Sequence, residues 1–255
     1  MQSYYLVGRA ERFALLARTV RDITGPSPRV VDLGCGPGSL MRAVLEALPQ
    51  AEVWGIDFDP AALLLARARL ASYGPRAHVA LADLRSPTWR IGIRRNGMPD
   101  RVDAAISATA LHWLKPGALA TLYGQIAALL RPGGLFLNAD HVGSDWAPLQ
   151  ASWERHRVEM RAARDAPSIA IDADLGTPEP WDDFWAAYVR ALGGDTAGFV
   201  YAEADARVLG GWDGGVEEGL PLAWHLDALR EAGFGAVDCF WRCDCDAIYG
   251  GIRLS

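Results

Sequence analysis

Val31-Asp32-Leu33-Gly34-Cys35-Gly36-Pro37-Gly38 decides the fold. The apolar run RVVDL (29–33) enters this turn, and an apolar-periodic stretch at about 38–47 leaves it. That order reads as strand, tight turn, helix. Glycine lets the backbone turn sharply and lets a ligand approach with no Cβ in the way. The spacing is G-x-G-x-G, and Ser39 stands where a nicotinamide-binding G-x-G-x-x-G turn has its third glycine. Asp32 lies inside the strand end, two residues before the first glycine.

The same alternation continues outward. GRAERFALLARTVRDI (8–23) precedes the turn as an amphipathic helix, stopped near Gly25-Pro26. Further strands are expected at 52–56, 77–82, 101–107 and 135–140, with helices at 60–72, 117–130 and 221–233. Asp59 and Pro60 supply an N-cap and an N1 proline for the helix at 60. Residues 236–243 and 246–254 are close enough to form a hairpin. Repeated βα units predict a doubly wound, mostly parallel seven-stranded sheet with one antiparallel strand at its end.

Residues 1–140 and 221–255 form the expected cofactor-binding domain, and 141–220 a helical insertion. Pieces around 146–163, 181–192 and 199–209 read as its helices. An insertion after a strand's C-terminal end lies beside the ligand crevice, so a lid over the acceptor pocket is expected. A decorative insertion or a homodimer surface is the plainer role. Residues 165–219 hold twelve Asp or Glu against two Arg, which agrees weakly with a cationic substrate and disagrees with a polyanion.

Composition excludes several classes. The chain has 255 residues, 51% hydrophobic and 22% charged, which suits one large α/β domain and not disorder. A net charge of −6 speaks against a general nucleic-acid binder. No apolar stretch approaches the ~20 residues of a membrane helix, and no signal peptide is visible. Four cysteines, three bunched late, make no disulfide framework, so a reduced, cytoplasmic protein is expected.

VVDLGCGPGSL resembles the first motif of the class I S-adenosylmethionine-dependent methyltransferases, and the resemblance runs over about 29–140 and through 221–254. It implies a Rossmann-like methyltransferase fold, S-adenosylmethionine as cofactor and a small-molecule acceptor. Gly34, Gly36 and Gly38 would lie against the methionine part, with Asp32 organising the loop. Asp57 would accept both ribose hydroxyls, and Phe58 would flank the adenine. Asp83 would take the adenine amino group, with the Leu84 amide on a ring nitrogen. Ser107, Ala108 and Thr109 would lie beside the cofactor. Tyr4, Tyr5 or Arg12 would fold over it, Arg12 pairing the methionine carboxylate. ALHWL (110–114) looks like the loop of small-molecule methyltransferases of the trans-aconitate and biotin-pathway type. Alternatives are a tRNA- or protein-modifying methyltransferase, a nicotinamide-dependent oxidoreductase, or a non-catalytic cofactor-binding protein.

Methyl transfer is an in-line displacement from a sulfonium, so the protein mainly holds the nucleophile near the methyl carbon and excludes water. A base is needed only when the nucleophile carries a proton. His141, after the strand at 135–140, is the first candidate base, and His112 the second. His225 reads as structural. The tryptophans near the insertion (Trp146, Trp153, Trp181, Trp185, Trp212) read as core, or as an aromatic cage. Cys239 and Cys243 would share one strand face as packing residues. A divalent-ion cluster of Asp140, His141 and Asp145 is a minor alternative.

Overall fold

The computed structural model describes residues 8–94, 97–165 and 219–254. Tyr4, Tyr5, Trp181, Trp185, Trp212, the helices expected at 181–192 and 199–209, and nearly all of the acidic stretch lie outside the described residues. The chain runs α1 (Arg9–Thr24), β1 (Arg29–Leu33), α2 (Ser39–Ala47), β2 (Glu52–Asp57), α3 (Pro60–Leu70), β3 (Ala77–Leu81), α4 (Trp89–Arg94) and β4 (Val102–Ala108). It continues as α5 (Pro116–Leu129), β5 (Leu130–His141), α6 (Ala147–Asp165), α7 (Leu222–Glu231), β6 (Asp238–Cys243) and β7 (Asp246–Ile252).

One seven-stranded sheet carries the order β3-β2-β1-β4-β5-β7-β6. All neighbours are parallel except β7, which is antiparallel to both β5 and β6. The strand–helix alternation of the sequence therefore builds the expected doubly wound sheet. Its direction of growth reverses between β1 and β4, which opens the crevice at their C-terminal ends.

Each face of the sheet buries its own core. Phe13, Leu16, Met41, Leu45 and Leu63 cover one face from α1, α2 and α3. Trp89, Leu122, Tyr123, Ile126 and Leu229 cover the other from α4, α5 and α7. Burial on both sides makes the central strands near-continuous apolar runs. Asp59 caps α3 as the sequence implies, accepting the Ala61 amide at 2.8 Å, with Pro60 in the first turn.

Three details depart from the sequence reading. Helix α4 is an addition, because six residues are too few for a helical period to register. Strand β5 starts at Leu130, before Arg131-Pro132-Gly133-Gly134, since Leu130 already pairs with Val102 before the register shifts to Ala104 and Leu135. Strand β6 also shifts register, between Cys239 and Trp241. That extra residue flips the alternation. Cys239 packs with the core of Tyr249 while Trp241 joins the core of Ile248, so Cys239 and Cys243 do not share a face.

Candidate active site

The glycine turn is tied to β2 at two levels. The amides of Gly34 and Cys35 both donate to the Ile56 carbonyl, at 2.8 and 2.9 Å. The Gly36 amide donates to Asp57 Oδ2 at 2.7 Å, while Asp57 Oδ1 takes the Asp59 amide at 2.9 Å. Gly34, Gly36 and Gly38 all have left-handed backbone angles, with φ of 74°, 49° and 76°. Their surroundings separate them. A Cβ on Gly34 would strike Ala110, and one on Gly38 would meet Leu70 and Ala66 of α3 at 3.0 and 3.3 Å. At Gly36 nothing lies within 4 Å. Of the three, Gly36 alone has open space where a Cβ would stand; Gly34 and Gly38 lie in close contact with Ala110 and with α3.

Below the turn, Asp32 is 1% exposed, and neither carboxylate oxygen makes a well-formed hydrogen bond. Burial, with the nearby charge of Asp57, pushes its pKa up to about 8. The Met41 amide and, less strongly, Arg9 exert opposing pulls on Asp32. A buried carboxyl so weakly supported is costly in a closed protein and fits a place where a cationic ligand completes the site. Burial also raises Asp57, against the pull of the amides it accepts. Phe58 is 40% exposed, an open apolar ring next to this carboxylate.

Asp83 is already engaged. Arg85 Nε reaches its two oxygens at 2.9 and 3.1 Å, and the Arg85 amide donates to Oδ1 at 2.9 Å. Partial burial acts to raise the Asp83 carboxyl, and the Arg85 bonds more than offset it, holding it below its ordinary value. Leu84 is half-buried against the core. Ser107 differs from its expected place beside the cofactor. It is fully buried, and its hydroxyl donates to the Leu33 carbonyl at 2.7 Å, bracing the end of β1 from below. Thr109 just beyond has φ 49°, a strained value for a β-branched residue at the crevice edge.

The side chain of Arg12 is 2% exposed, and Nη1 lies 3.0 Å from Asp246 on β7, so the charge has a partner within the protein beside the one expected on the cofactor. Asp246 Oδ1 lies 2.9 Å from His141 Nδ1 as well. Burial lowers the His141 imidazole, but Asp246 more than compensates and raises it above its ordinary value.

His112 has its own carboxylate. Its Nδ1 is 2.6 Å from Asp140 Oδ1, and its ring centroid is 5.1 Å from that of His141, edge-on. Among the described residues, neither histidine makes a hydrogen bond through Nε2. Asp140 is 1% exposed, and its carboxyl sits below the ordinary range: burial raises it, and His112 and His141 more than reverse this. Asp246 carries no motif signal in the sequence, where it opens the strand expected at 246–254. His225 is structural, as expected. It is buried, with Nδ1 2.8 Å from the Tyr123 hydroxyl and 3.0 Å from that of Tyr249, and burial lowers its pKa to about 4.

Two tryptophans of the expected cage fall within the described residues. Trp146 is 65% exposed, and Trp153 lies beneath Arg242, whose Cζ is 4.5 Å from the ring centroid. Among the described residues, no group of three His, Cys, Asp or Glu is placed to hold a metal ion.

Comparison with known proteins matches residues 30–134 to a methyltransferase-domain family. A trans-aconitate 2-methyltransferase of Methylobacterium radiotolerans is 39% identical over 244 residues, covering 91% of this chain and 84% of that protein. One from Azoarcus sp. is 29% identical over 237 residues, covering 91% and 85%. Among solved structures, an O-methyltransferase family protein from Burkholderia thailandensis has a TM-score of 0.56 at 18% identity over 96% of this chain. The apo form of the S-adenosylmethionine-dependent methyltransferase SibL has a TM-score of 0.55 at 19% identity over 95% of this chain. This chain spans just over half of those two, 57% and 55% of their lengths, and their likeness is one of fold.

Proposed function

Because this chain belongs to the S-adenosylmethionine-dependent methyltransferases, we propose that it methylates a carboxylate oxygen of a small organic acid of the trans-aconitate kind. The observation that carries the reading is the histidine pair. His112 and His141 stand 5.1 Å apart at the crevice ends of β4 and β5, each with Nδ1 against a carboxylate. Protonated, His141 presents Nε2–H as a charge-assisted donor suited to an acid group, and Asp140 on His112 Nδ1 leaves that ring's Nε2 to face the acceptor. The names of the relatives support the same class.

When bound, the cofactor supplies a methyl group on a positively charged sulfur, already activated for displacement. The weakly supported Asp32 carboxyl and the open space at Gly36 fit such a cationic group. Asp57 would take the ribose hydroxyls on the lone pairs its two amides leave, and Phe58 would lie along the adenine. Asp83 would reach the adenine amino group through oxygens that Arg85 also holds, with the Leu84 amide beside it.

The acceptor needs no base. A carboxylic acid with a pKa of about 4 is ionised at neutral pH, so its nucleophilic oxygen has no proton to lose. His141 then holds the acid as a cation, and its raised pKa favours that form. This replaces the general-base role expected from its place after β5. His112 orients the second side of the acceptor, and the two rings fix the angle of approach to the methyl carbon. The insertion leaves from the crevice end of β5 through α6, which supports assigning residues 141–220 to the acceptor side. Its acidic stretch, expected to disfavour a polyanion, lies almost wholly outside the described residues. Four free cysteines support a reducing, cytoplasmic setting.

The test is a panel of di- and tricarboxylic acids, including trans-aconitate, beside amines, phenols and neutral alcohols. The expected product is an alkali-labile methyl ester, identified by mass and NMR. Preferred transfer to nitrogen, carbon or a neutral alcohol would overturn the reading.

A further inference from the structure

Asn138 and Asp140 share one face of β5, and that face is buried. A buried polar group left unmatched is costly, and Asn138 Oδ1 has no hydrogen-bond partner among the described residues. Asp140 is matched with unusual completeness. Its Oδ2 accepts the amides of Leu111 and His112, both at 3.0 Å, and Asn138 Nδ2 at 3.3 Å. Its Oδ1 accepts the His141 amide at 3.0 Å and faces His112 Nδ1 at 2.6 Å. One carboxylate thus holds the loop after β4, the end of β5 and the His112 ring.

The support extends away from the crevice. Asn138 Nδ2 also donates to the Tyr249 hydroxyl at 2.8 Å, and that hydroxyl lies 3.0 Å from His225 Nδ1 and 3.2 Å from the Tyr123 hydroxyl. The network therefore joins β5, β7, α5 and α7 behind His112. A carboxylate on Nδ1 fixes both the ring orientation and the nitrogen left for the acceptor, which is Nε2.

We propose that Asp140 is the positioning residue of the acceptor site, acting through His112 and braced by Asn138 and Tyr249. The role rests on the reading that His112 meets the acceptor. Asp140 itself touches neither substrate nor cofactor. Its negative charge keeps a proton on Nδ1 and directs Nε2 outward.

The test is a double-mutant cycle between Asp140→Asn and His112→Gln, with nitrogen-15 NMR of the His112 ring. Asp140→Asn alone is expected to lower kcat/KM for the acceptor by about 10- to 100-fold, the range of a lost charge-assisted hydrogen bond. Affinity for S-adenosylhomocysteine should stay within about twofold, the ordinary scatter between independent sites. In the His112→Gln background the same change should cost less than about threefold, because residues acting as a unit are not additive. The nitrogen shifts should report a proton on Nδ1 in the wild type and a mixed ring in Asp140→Asn. Equal penalties in both backgrounds, or unchanged His112 shifts, overturn the proposal. If Asp140→Asn does not fold, Asn138→Ala takes its place in the cycle, with a smaller loss that again vanishes without His112. Ring shifts that follow Asp140 while the product is no carboxylic ester would leave the positioning role standing and remove the acceptor reading.

Discussion

Arg12 Nη1 lies 3.0 Å from Asp246 Oδ1, which joins the first helix to the last strand beside the crevice. The Arg12 side chain is 2% exposed and that of Asp246 20%, so the pair is buried on the arginine side only. Arg12→Ala removes the buried cation but leaves Asp246 its contact with His141, so the loss should be about 1–3 kcal/mol, below that of a fully buried pair. Arg12→Ala should therefore lower stability by that order in urea denaturation. Affinity for S-adenosylhomocysteine, measured by calorimetry on the folded variant, should stay nearly constant. A large loss of cofactor affinity without loss of stability would return Arg12 to the cofactor.

The Asp246–His141 contact sets a pH dependence. Asp246 raises His141 above its ordinary value, while Asp246 itself is lowered: burial raises it, and His141 and Arg12 more than offset that. Acceptor binding should be strong while His141 is protonated and should weaken as pH rises through its raised pKa, above about 6.5. Asp246→Asn should move that midpoint down, and kcat/KM against pH is the measurement. For stability the His141 contribution is fully present below its unfolded pKa and is lost as pH rises through the folded one. The Asp246 contribution is present above its unfolded pKa and is lost as pH falls through the folded one.

Asp32 makes a separate prediction. Its carboxyl is still largely protonated at pH 7, because burial and Asp57 raise its pKa to about 8. A cationic ligand beside it stabilises the carboxylate, so cofactor binding at pH 7 should release about one proton. Calorimetry in buffers of different ionisation enthalpy reads this directly. Asp32→Asn should abolish the release, and binding with no buffer dependence in the wild type would contradict the assignment. In the free protein the sign runs the other way. The unfolded carboxyl ionises near pH 4 and the folded one near 8, so stability declines across that interval.

Asp57 bridges the glycine turn and the start of α3 through the Gly36 and Asp59 amides. Asp57→Ala loses these bonds together with the ribose partner. Cofactor affinity should fall by about 10- to 100-fold or more, as expected for charged hydrogen bonds. Asp57→Asn, which keeps one acceptor, should fall less. Equal affinities across the three proteins would remove Asp57 from the site.

The glycines of the turn should separate by mechanism. Gly36→Ala strains a left-handed backbone but enters open space, a cost of about 1 kcal/mol with weakened cofactor binding. Gly34→Ala adds a collision with Ala110 to the same strain and should lose about 1–3 kcal/mol more through overpacking. Thermal unfolding of both variants decides whether Gly34 serves packing and Gly36 access.

The strand ends, the parallel order and the glycine turn were legible in the chain, because each is written in local chemistry. Alternating apolar runs have a period, Asp59-Pro60 is a cap, and three glycines in five residues are a turn. Asp57 at the end of β2 followed from the same local logic. What the tertiary structure alone decided were the partners across long separations. Asp246 meets Arg12 and His141 only because β7 runs antiparallel beside β5 while α1 packs behind it. Asp140 meets His112 because β4 and β5 lie side by side in register. Ser107 points under β1, and the β6 bulge turns Cys239 from Cys243, through registers that no short window of residues encodes. The sequence alone determined which side chains were available to the crevice. Sheet register determined which carboxylate each histidine received, since pairings between residues distant in sequence depend on where strands meet.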